Sequence, residues 1–513
     1  MSAFLRPFLA AASLVATYST TGYAAETSSA TTAAAPSPAL ALADGVLTLP
    51  EAIQLALAKN YDVQISSLGE PIAGANLLAE WGAFDPVLSG SYFYSEDGNP
   101  QSADPFGGSR PPSSIIEADT YEVGVGGATP WGMTYQLGAS TQNRRGTFNS
   151  FADNYYTFAG LEVTQPLLRG FGFSSNFYGV RIARANRHGS LWDYRQTVTD
   201  VITQVIYAYH DLKLAEANLA TSERSRELAA GLLDENQKRF QAGSLSDADV
   251  TAARARVASR EEAILIARQA VATRRNFLKQ LISDDRSPAL LDHRVEIAPP
   301  TALPDLTPTP AADFQRALEL RPDYQQARLD VERADLTRRY RRNQVLPRVD
   351  LVGSYGYNGL ETTFGDSWDT VRDRDSRSYS IGAVVSVPLT FAQQRGRYRA
   401  AKLTQQQTEL TLARLEQDIL VQVGNAAGEI ETARQRVEST TRFLQLAQQN
   451  LDDELKKLRA GTGSTFFVLE QQERLSSAEI RQAAAAADYQ KALAAYDRIL
   501  GTTLAQHRVS IED

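Results

Sequence analysis

The chain has 513 residues, 43% of them hydrophobic and 22% charged, with a formal net charge of −8 and a pI near 5.4. That is the composition of a folded protein with several structural units, and its acidic balance argues against a nucleic-acid surface, which would be basic. There is no cysteine, which excludes disulfides, thiolate metal sites, a cysteine nucleophile and N-terminal lipidation at a cleavage-point cysteine.

Residues 1–25 read as a secretory signal. Arg6 supplies the positive start, Phe8 to Ala16 is an apolar run, and Gly22-Tyr23-Ala24-Ala25 offers small residues for cleavage. The run is too short to span a bilayer, and no later segment reaches about 18 uninterrupted apolar residues, so no helical anchor is expected. The mature chain is expected in the periplasm, outside the cell or in the outer membrane. Residues 26–46 form a linker rich in Ala, Ser, Thr and Pro, a composition too poor in large apolar groups to order itself. Residues 47–86 begin the ordered protein with short helices.

Residues 87–166 change period from 3.6 to 2. Met133, Tyr135, Leu137 and Ala139 alternate with Gly132, Thr134, Gln136, Gly138 and Ser140. Candidate strands are 87–95, 119–128, 131–141 and 155–165, with a Gly/Pro/Ser loop over 97–116. Tyr92, Tyr94, Trp131, Tyr155 and Tyr156 stand near segment ends, as an interfacial aromatic belt would. Segments of about ten alternating residues suit strands crossing an outer membrane at a tilt; a soluble β-sandwich would show the same alternation. If the sheet does span a membrane, its edges must be closed by other copies, because one chain has too few strands for an open-pored barrel.

From near Asn176 a helix runs without proline to about Gln241, roughly 100 Å at 1.5 Å per residue, and Ala242-Gly243 stops it. Ser246 caps a returning helix. Its seam, Val250, Ala253, Val257, Ile264, Ala267, Val271, Leu278 and Leu281, steps by threes and fours as in a coiled coil, with Arg260 and Arg274 interrupting. One buried stripe on such long helices suggests a wall one helix thick, although an ordinary bundle or stalk fits the helices alone. A proline-rich linker over 284–311 separates this unit, residues 167–283, from the second half of the chain.

That second half repeats the first. Aligning Gly243 with Gly461 matches Val250 with Val468, Arg256 with Arg474, Ser259 with Ser477 and Glu261 with Glu479, without a gap. Upstream, Ala56-Leu57 matches Ala317-Leu318, Asp62 matches Asp323, Pro86 matches Pro347, and Pro166 matches Pro388. With a period near half the chain this is a duplication, not a solenoid. The second unit has a helical segment at 312–347, strands within 348–388 (about 348–358 and 378–388), a long helix pair over 389–501 capped at Ser464, and a tail at 502–513.

No chemistry assembles. The four histidines, His188, His210, His293 and His507, lack metal-ligand partners at helical or loop spacing. Asp284-Asp285 and Asp452-Asp453 are adjacent and so do not face one another. Ala460-Gly-Thr-Gly-Ser-Thr465 has the texture of a phosphate loop without its Gly-Lys-Ser/Thr, Gly124-Val-Gly-Gly127 lies in a strand segment, and no Gly-x-Ser-x-Gly elbow is present. The basic run Arg338, Arg339, Arg341 and Arg342 reads as a solvated helix face. Neither an enzyme nor a cofactor is expected.

The opening Leu47-Thr-Leu-Pro-Glu-Ala-Ile-Gln-Leu-Ala-Leu-Ala-Lys-Asn60, the prolines at helix–strand junctions (Pro86, Pro166, Pro347, Pro388), Arg239-Phe-Gln-Ala-Gly243 with its repeat partner, and Leu500-Gly-Thr-Thr-Leu504 together resemble the TolC-like outer-membrane efflux protein family. The resemblance runs from about Leu47 to Leu504. It implies an α+β membrane protein: a homotrimer sharing one transmembrane β-barrel in the outer membrane, with a long helical barrel reaching into the periplasm. It also implies a passive exit duct for an efflux or type I secretion system, meeting a periplasmic adaptor protein and an inner-membrane transporter. A soluble periplasmic coiled-coil scaffold is the alternative, and it would need no detergent.

Three departures from the family stand out. The family has four strands per protomer, twelve in a trimer; six here would make eighteen, unless the extra pair is an extracellular hairpin. Where the family places two acidic residues just after the second glycine turn, this chain has Phe467 and Glu470, leaving one acidic ring with Phe466 and Phe467 as a hydrophobic constriction. Solvated-helix and helix–helix core readings of these residues remain open. Finally, Asp249 matches the acidic partner of a closing Arg–Asp contact, but Gly463 stands where the arginine would be. The turns around Gly243, Ser244, Gly461 and Gly463 are then the candidate adaptor contacts.

Overall fold

A computed structural model describes residues 45–100, 113–293, 295–298 and 303–511. The signal-like residues 1–25, the remainder of the linker to residue 44 and most of the 97–116 loop lie outside them.

The chain opens with β1 (Gly45–Leu47) and three short helices, α1 (Leu49–Lys59), α2 (Tyr61–Ser67) and α3 (Gly69–Trp81). Thr48 starts α1 with a reciprocal cap: the Glu51 carboxylate accepts from the Thr48 amide at 2.9 Å, and the Thr48 hydroxyl accepts from the Glu51 amide. Asn60 caps α2 by accepting from the Asp62 amide at 2.8 Å, and its side chain donates to the Leu281 carbonyl at 3.0 Å, 221 residues away.

Four strands come next, β2 (Val87–Asn99), β3 (Ser114–Ala128), β4 (Thr134–Gly146) and β5 (Tyr155–Pro166). β2 runs past the expected 95 to Asn99, β3 starts at Ser114 instead of 119, and β4 covers Thr134–Gly146 instead of 131–141. β3 starts at Ser114 because its pairing with β2 continues out to Asn99, and residues 131–133 belong to the turn before β4. Then come α4 (Phe173–Asn176), the 64-residue α5 (Tyr178–Gln241) and α6 (Asp247–Ile282).

The inter-repeat linker is not wholly irregular. Its β6 (Val295–Ile297) pairs in parallel with β1, Val46 facing Glu296. Gly45 and Val46, expected in the linker over 26–46, are thus part of a ladder. The second repeat supplies α7 (Pro310–Leu320), α8 (Pro322–Asn343), β7 (Arg348–Glu361), α9 (Phe364–Asp373), β8 (Ser376–Ser386), the 68-residue α10 (Ala392–Arg459), α11 (Thr465–Leu500) and α12 (Thr503–Gln506).

The six long strands form one antiparallel sheet in the order β2-β3-β4-β5-β7-β8. β5 against β7 is the seam between the repeats. There Leu167 donates to the Val349 carbonyl at 2.7 Å and Arg169 to the Pro347 carbonyl at 3.3 Å, so Pro166 and Pro347 end and begin neighbouring strands.

The helical part holds three apolar cores. One packs α1, α2 and the middle of α5 on the end of α6, through Ile53, Ile202, Leu212 and Leu278. Its counterpart packs α7, the middle of α10 and the end of α11 through Ala317, Ile419, Ile430 and Tyr496. The third lies toward the glycine turns, with Leu232, Leu451, Leu458 and Val468. On α6 the expected seam is buried at Val250, Ala253, Ile264, Val271, Leu278 and Leu281, and half-buried at Val257 and Ala267. No helix among the described residues is long and apolar enough to cross a membrane.

Candidate functional site: the two sheet faces and the helical tip

The register assigns each strand residue to a face. One row across the sheet reads Leu88, Val125, Leu137, Leu161, Tyr355, Tyr379, each opposite the next. Every member is apolar or aromatic, and no described element covers the row: Leu137 is 59% exposed and Tyr379 68%. The adjoining row on the other face reads Ser89, Gly124, Gly138, Gly160, Gly356, Ser378. One face is thus apolar and open along this row, while the other carries glycine and serine, with the Phe158 ring lying against Gly160 and Gly356. Glu122 and Glu162 share the polar face.

Tyr92 faces Tyr121 on the apolar face, ring centroids 4.9 Å apart, two steps distal to Leu88 and Val125. That is where an aromatic girdle would meet the membrane surface. In the same row, on the β4–β5–β7 side, α9 lies across this face. Its Ser367 hydroxyl is 2.9 Å from Thr157 Oγ1, which is 3.0 Å from Thr141 Oγ1, all three buried. The helix approaches so closely that a Cβ on Gly359 would sit 2.0 Å from the Ser367 carbonyl oxygen. Nothing in the sequence period marked α9.

At the opposite end of the long helices lie the two hairpin turns. Gly243 (φ 74°) and Gly461 (φ 77°) both adopt the left-handed conformation that ends α5 and α10. Ser244 donates its amide to the Arg239 carbonyl at 2.9 Å, and Gly463 its amide to the Lys457 carbonyl at 3.0 Å. Ser246 caps α6, with Asp249 as the other half of the capping box. The Asp249 carboxylate is therefore engaged within its own turn, 2.5 Å from the Ser246 hydroxyl. Ser464 caps α11, accepting from the Phe466 amide.

Phe466 and Phe467, edge to face at 5.7 Å, are 68% and 52% exposed, so within the protomer they are not helix–helix core. Glu470 accepts from Arg474 one turn on, at 2.7 Å.

Contacts that sequence reasoning missed tie the two hairpins together. Glu473 on α11 pairs with both Arg256 and Arg260 on α6, and Glu479 pairs with Arg224 on α5. Arg239 donates to the Leu458 carbonyl at 3.3 Å and Arg256 to the Leu469 carbonyl at 3.5 Å. The gapless repeat was the available signal, since it places Arg256 and Arg474 at equivalent positions, but it does not say which carboxylate each one meets.

Among the described residues no three His, Asp or Glu side chains converge on a metal-sized space. The strongly shifted histidine is His210, in the helical core. Burial, then the charges of Lys213 and Lys491, push it down to about 4, against which Asp211 acts weakly. Its Nε2 is buried without a partner.

The apolar outer face, the small-residue inner face and the paired long hairpins define a subunit of a membrane channel. A family model described as "Outer membrane efflux protein" matches residues 131–283 and 314–502, and the chain belongs to that family. No curated protein matches it by sequence.

Solved structures share the fold. The Campylobacter jejuni CmeC outer membrane channel is 16% identical over 89% of this chain and 86% of its own, with a TM-score of 0.65. The outer membrane protein VceC of Vibrio cholerae is 17% identical over 88% and 96%, with a TM-score of 0.64. The open state of the Neisseria gonorrhoeae MtrE outer membrane channel is 17% identical over 89% and 89%, with a TM-score of 0.61. The chain is an outer-membrane channel subunit that gives a passive exit duct, and not a soluble scaffold. The family is one of channels rather than enzymes.

Proposed function

We propose that three copies of this chain assemble in the outer membrane, with their sheets joined into one barrel and their helices extended into the periplasm as a hollow duct. The observation that carries this reading is the row from Leu88 to Tyr379, apolar across the whole sheet and exposed at every member but the half-buried Val125, beside a parallel row of glycine and serine. A single copy leaves the outer edges of β2 and β8 unpaired, which lipid does not tolerate. The protomer performs no catalysis; energy comes from an inner-membrane transporter, reached through a periplasmic adaptor that docks at the turns Gly243-Ser244 and Gly461 to Gly463.

The tip is the gate. Phe466 and Phe467 form its apolar constriction and Glu470 its acidic ring, while Asp249 acts as a helix cap and not as a latch. The pairing of Glu473 with Arg256 and Arg260 holds the second hairpin against the first in the closed form. Pro86, Pro166, Pro347 and Pro388 mark the crossings from helix to strand.

Separating inner membrane, outer membrane and periplasm on a density gradient tests the reading. It expects the protein in the outer-membrane band after a carbonate wash, and a trimer's mass in detergent. Recovery in the soluble periplasm would overturn it.

A further inference from the structure

We infer that the barrel has eighteen strands: three copies of six, with β8 of each copy hydrogen-bonded to β2 of the next. This rests on the trimeric reading above and goes beyond it, because it fixes the width of the exit. The repeat aligns Pro86 with Pro347 and Pro166 with Pro388, so β2 corresponds to β7 and β5 to β8, and the hairpin of β3 and β4 (Ser114–Gly146) has no counterpart in the second repeat. It is an addition to the family's pattern, and the question is whether it belongs to the wall of the barrel or hangs outside it.

Three observations place it in the wall. β3 pairs with β2 over thirteen consecutive positions, and β4 pairs with β5 over ten. A barrel that left the hairpin out would have to break both ladders and pair β2 with β5. Next, the hairpin continues both rows without a break: Val125 and Leu137 on the apolar face, Gly124 and Gly138 on the small polar one. An extracellular flap would have no reason to keep lipid on one side and lumen on the other. Last, β2 has 13 residues and β8 has 11, each long enough for a tilted crossing of about 9–11 residues. Each keeps one edge unpaired among the described elements, and closing a membrane sheet requires those edges to meet.

The consequence is geometric. At equal strand tilt the diameter of a barrel grows nearly in proportion to strand number, so eighteen strands give an exit about 1.5 times as wide as twelve. Glycine and serine fill one luminal row, and the Phe158 ring lies against Gly160 and Gly356 rather than beside a bulky neighbour. The membrane segment is then not the narrow point of the duct, and cargo size is limited at the helical tip.

The test uses the absence of native cysteine, which makes disulfide trapping free of background. Tyr379→Cys on β8 is combined in turn with Leu88→Cys, Gly90→Cys and Tyr92→Cys on the same face of β2, and Leu161→Cys on β5 is separately combined with the same three. Each variant is oxidised in outer membranes and run without reductant. Covalent dimers and trimers from the β8 set, and no internal cross-link from the β5 set, are expected.

Internal cross-links from β2 to β5 would show a twelve-stranded wall and overturn the inference. So would the lack of any cross-link in a chain that still sediments as a trimer. A chain that sediments as a monomer would instead remove the assembly on which the inference stands. Counting strands in an electron cryo-microscopy map of the unsubstituted trimer asks the same question with no variant to misfold: eighteen supports the inference, twelve overturns it.

Discussion

Around Ile202 and Leu278 the helices bury their apolar side chains completely, while Leu88, Leu137 and Tyr379 stand open along the sheet. Both regions are rich in large apolar residues, yet one finishes its core within a single chain and the other does not. The helical region has two layers from each repeat to press together, so water is excluded locally. The sheet is one layer, with α9 covering only its distal end. On the trimeric reading its outward face is covered by lipid, and its inward face carries a full row of glycine and serine. The same fold therefore contains one part whose stability belongs to the protomer and another whose stability belongs to the membrane and the assembly.

Substitutions break or sharpen this contrast. The largest effect is expected from Leu278→Ala, which empties a fully buried site and costs about 2–5 kcal/mol. Thermal unfolding followed by helical circular dichroism should record it, while Leu137→Ala in lipid should move the transition far less. Equal shifts would mean that the sheet face is covered by protein. Next comes charge on the two faces. Leu137→Arg places a cation in lipid at about 2–4 kcal/mol and should reduce the yield of assembled channel, whereas Ser140→Arg, on the opposite face, should assemble normally. The reverse result would exchange the lumen and the lipid side.

The third contrast is with pH. His210 titrates near 6.5 when unfolded and at about 4 in the folded core. Between those values the unfolded chain binds a proton that the folded chain does not, so stability is complete above pH 6.5 and declines as pH falls toward 4. The loss is about 2 kcal/mol per protomer at pH 5. His210→Leu should flatten the acid limb of a plot of melting temperature against pH; an unchanged slope would assign the acid sensitivity elsewhere. The smallest effect is at the tip. Glu473→Gln removes an exposed contact worth about 0.2–1 kcal/mol. It should leave melting unchanged yet raise single-channel conductance in planar bilayers, and unaltered conductance would remove Glu473 from the gate.

The features legible in the sequence were those written by period and by repetition. The seam from Val250 to Leu281 follows from spacing alone, and the alternation around Tyr135, Leu137 and Ala139 announced a two-faced strand. Gly243 and Gly461 marked two matching turns before any geometry was known. What escaped depends on distant partners. β1 is three residues long and gains its identity only from Val295 to Ile297. Helix α9 is ten residues long and takes its place because Ser367 meets Thr157 and Gly359 leaves room. Asp249 matched the acidic half of the family's closing contact without its arginine, and within the protomer its carboxylate completes the capping box with Ser246. The Arg256–Glu473 pairing depends on how two hairpins are rotated against each other, which no periodicity encodes.

The small parallel ladder of β1 and β6 sets residue 45 beside residue 295. Synthesis and export both deliver a chain N-terminus first, so Gly45-Val46-Leu47 has no partner until Val295 emerges. By then the whole of α5 and α6 is available. The ladder closes the first repeat into a loop using only residues that precede α7 in the chain. A chain stalled short of residue 295 would carry a bare strand where a finished one carries a clasp, so that completion of the first half is written into three backbone pairs that either exist or do not.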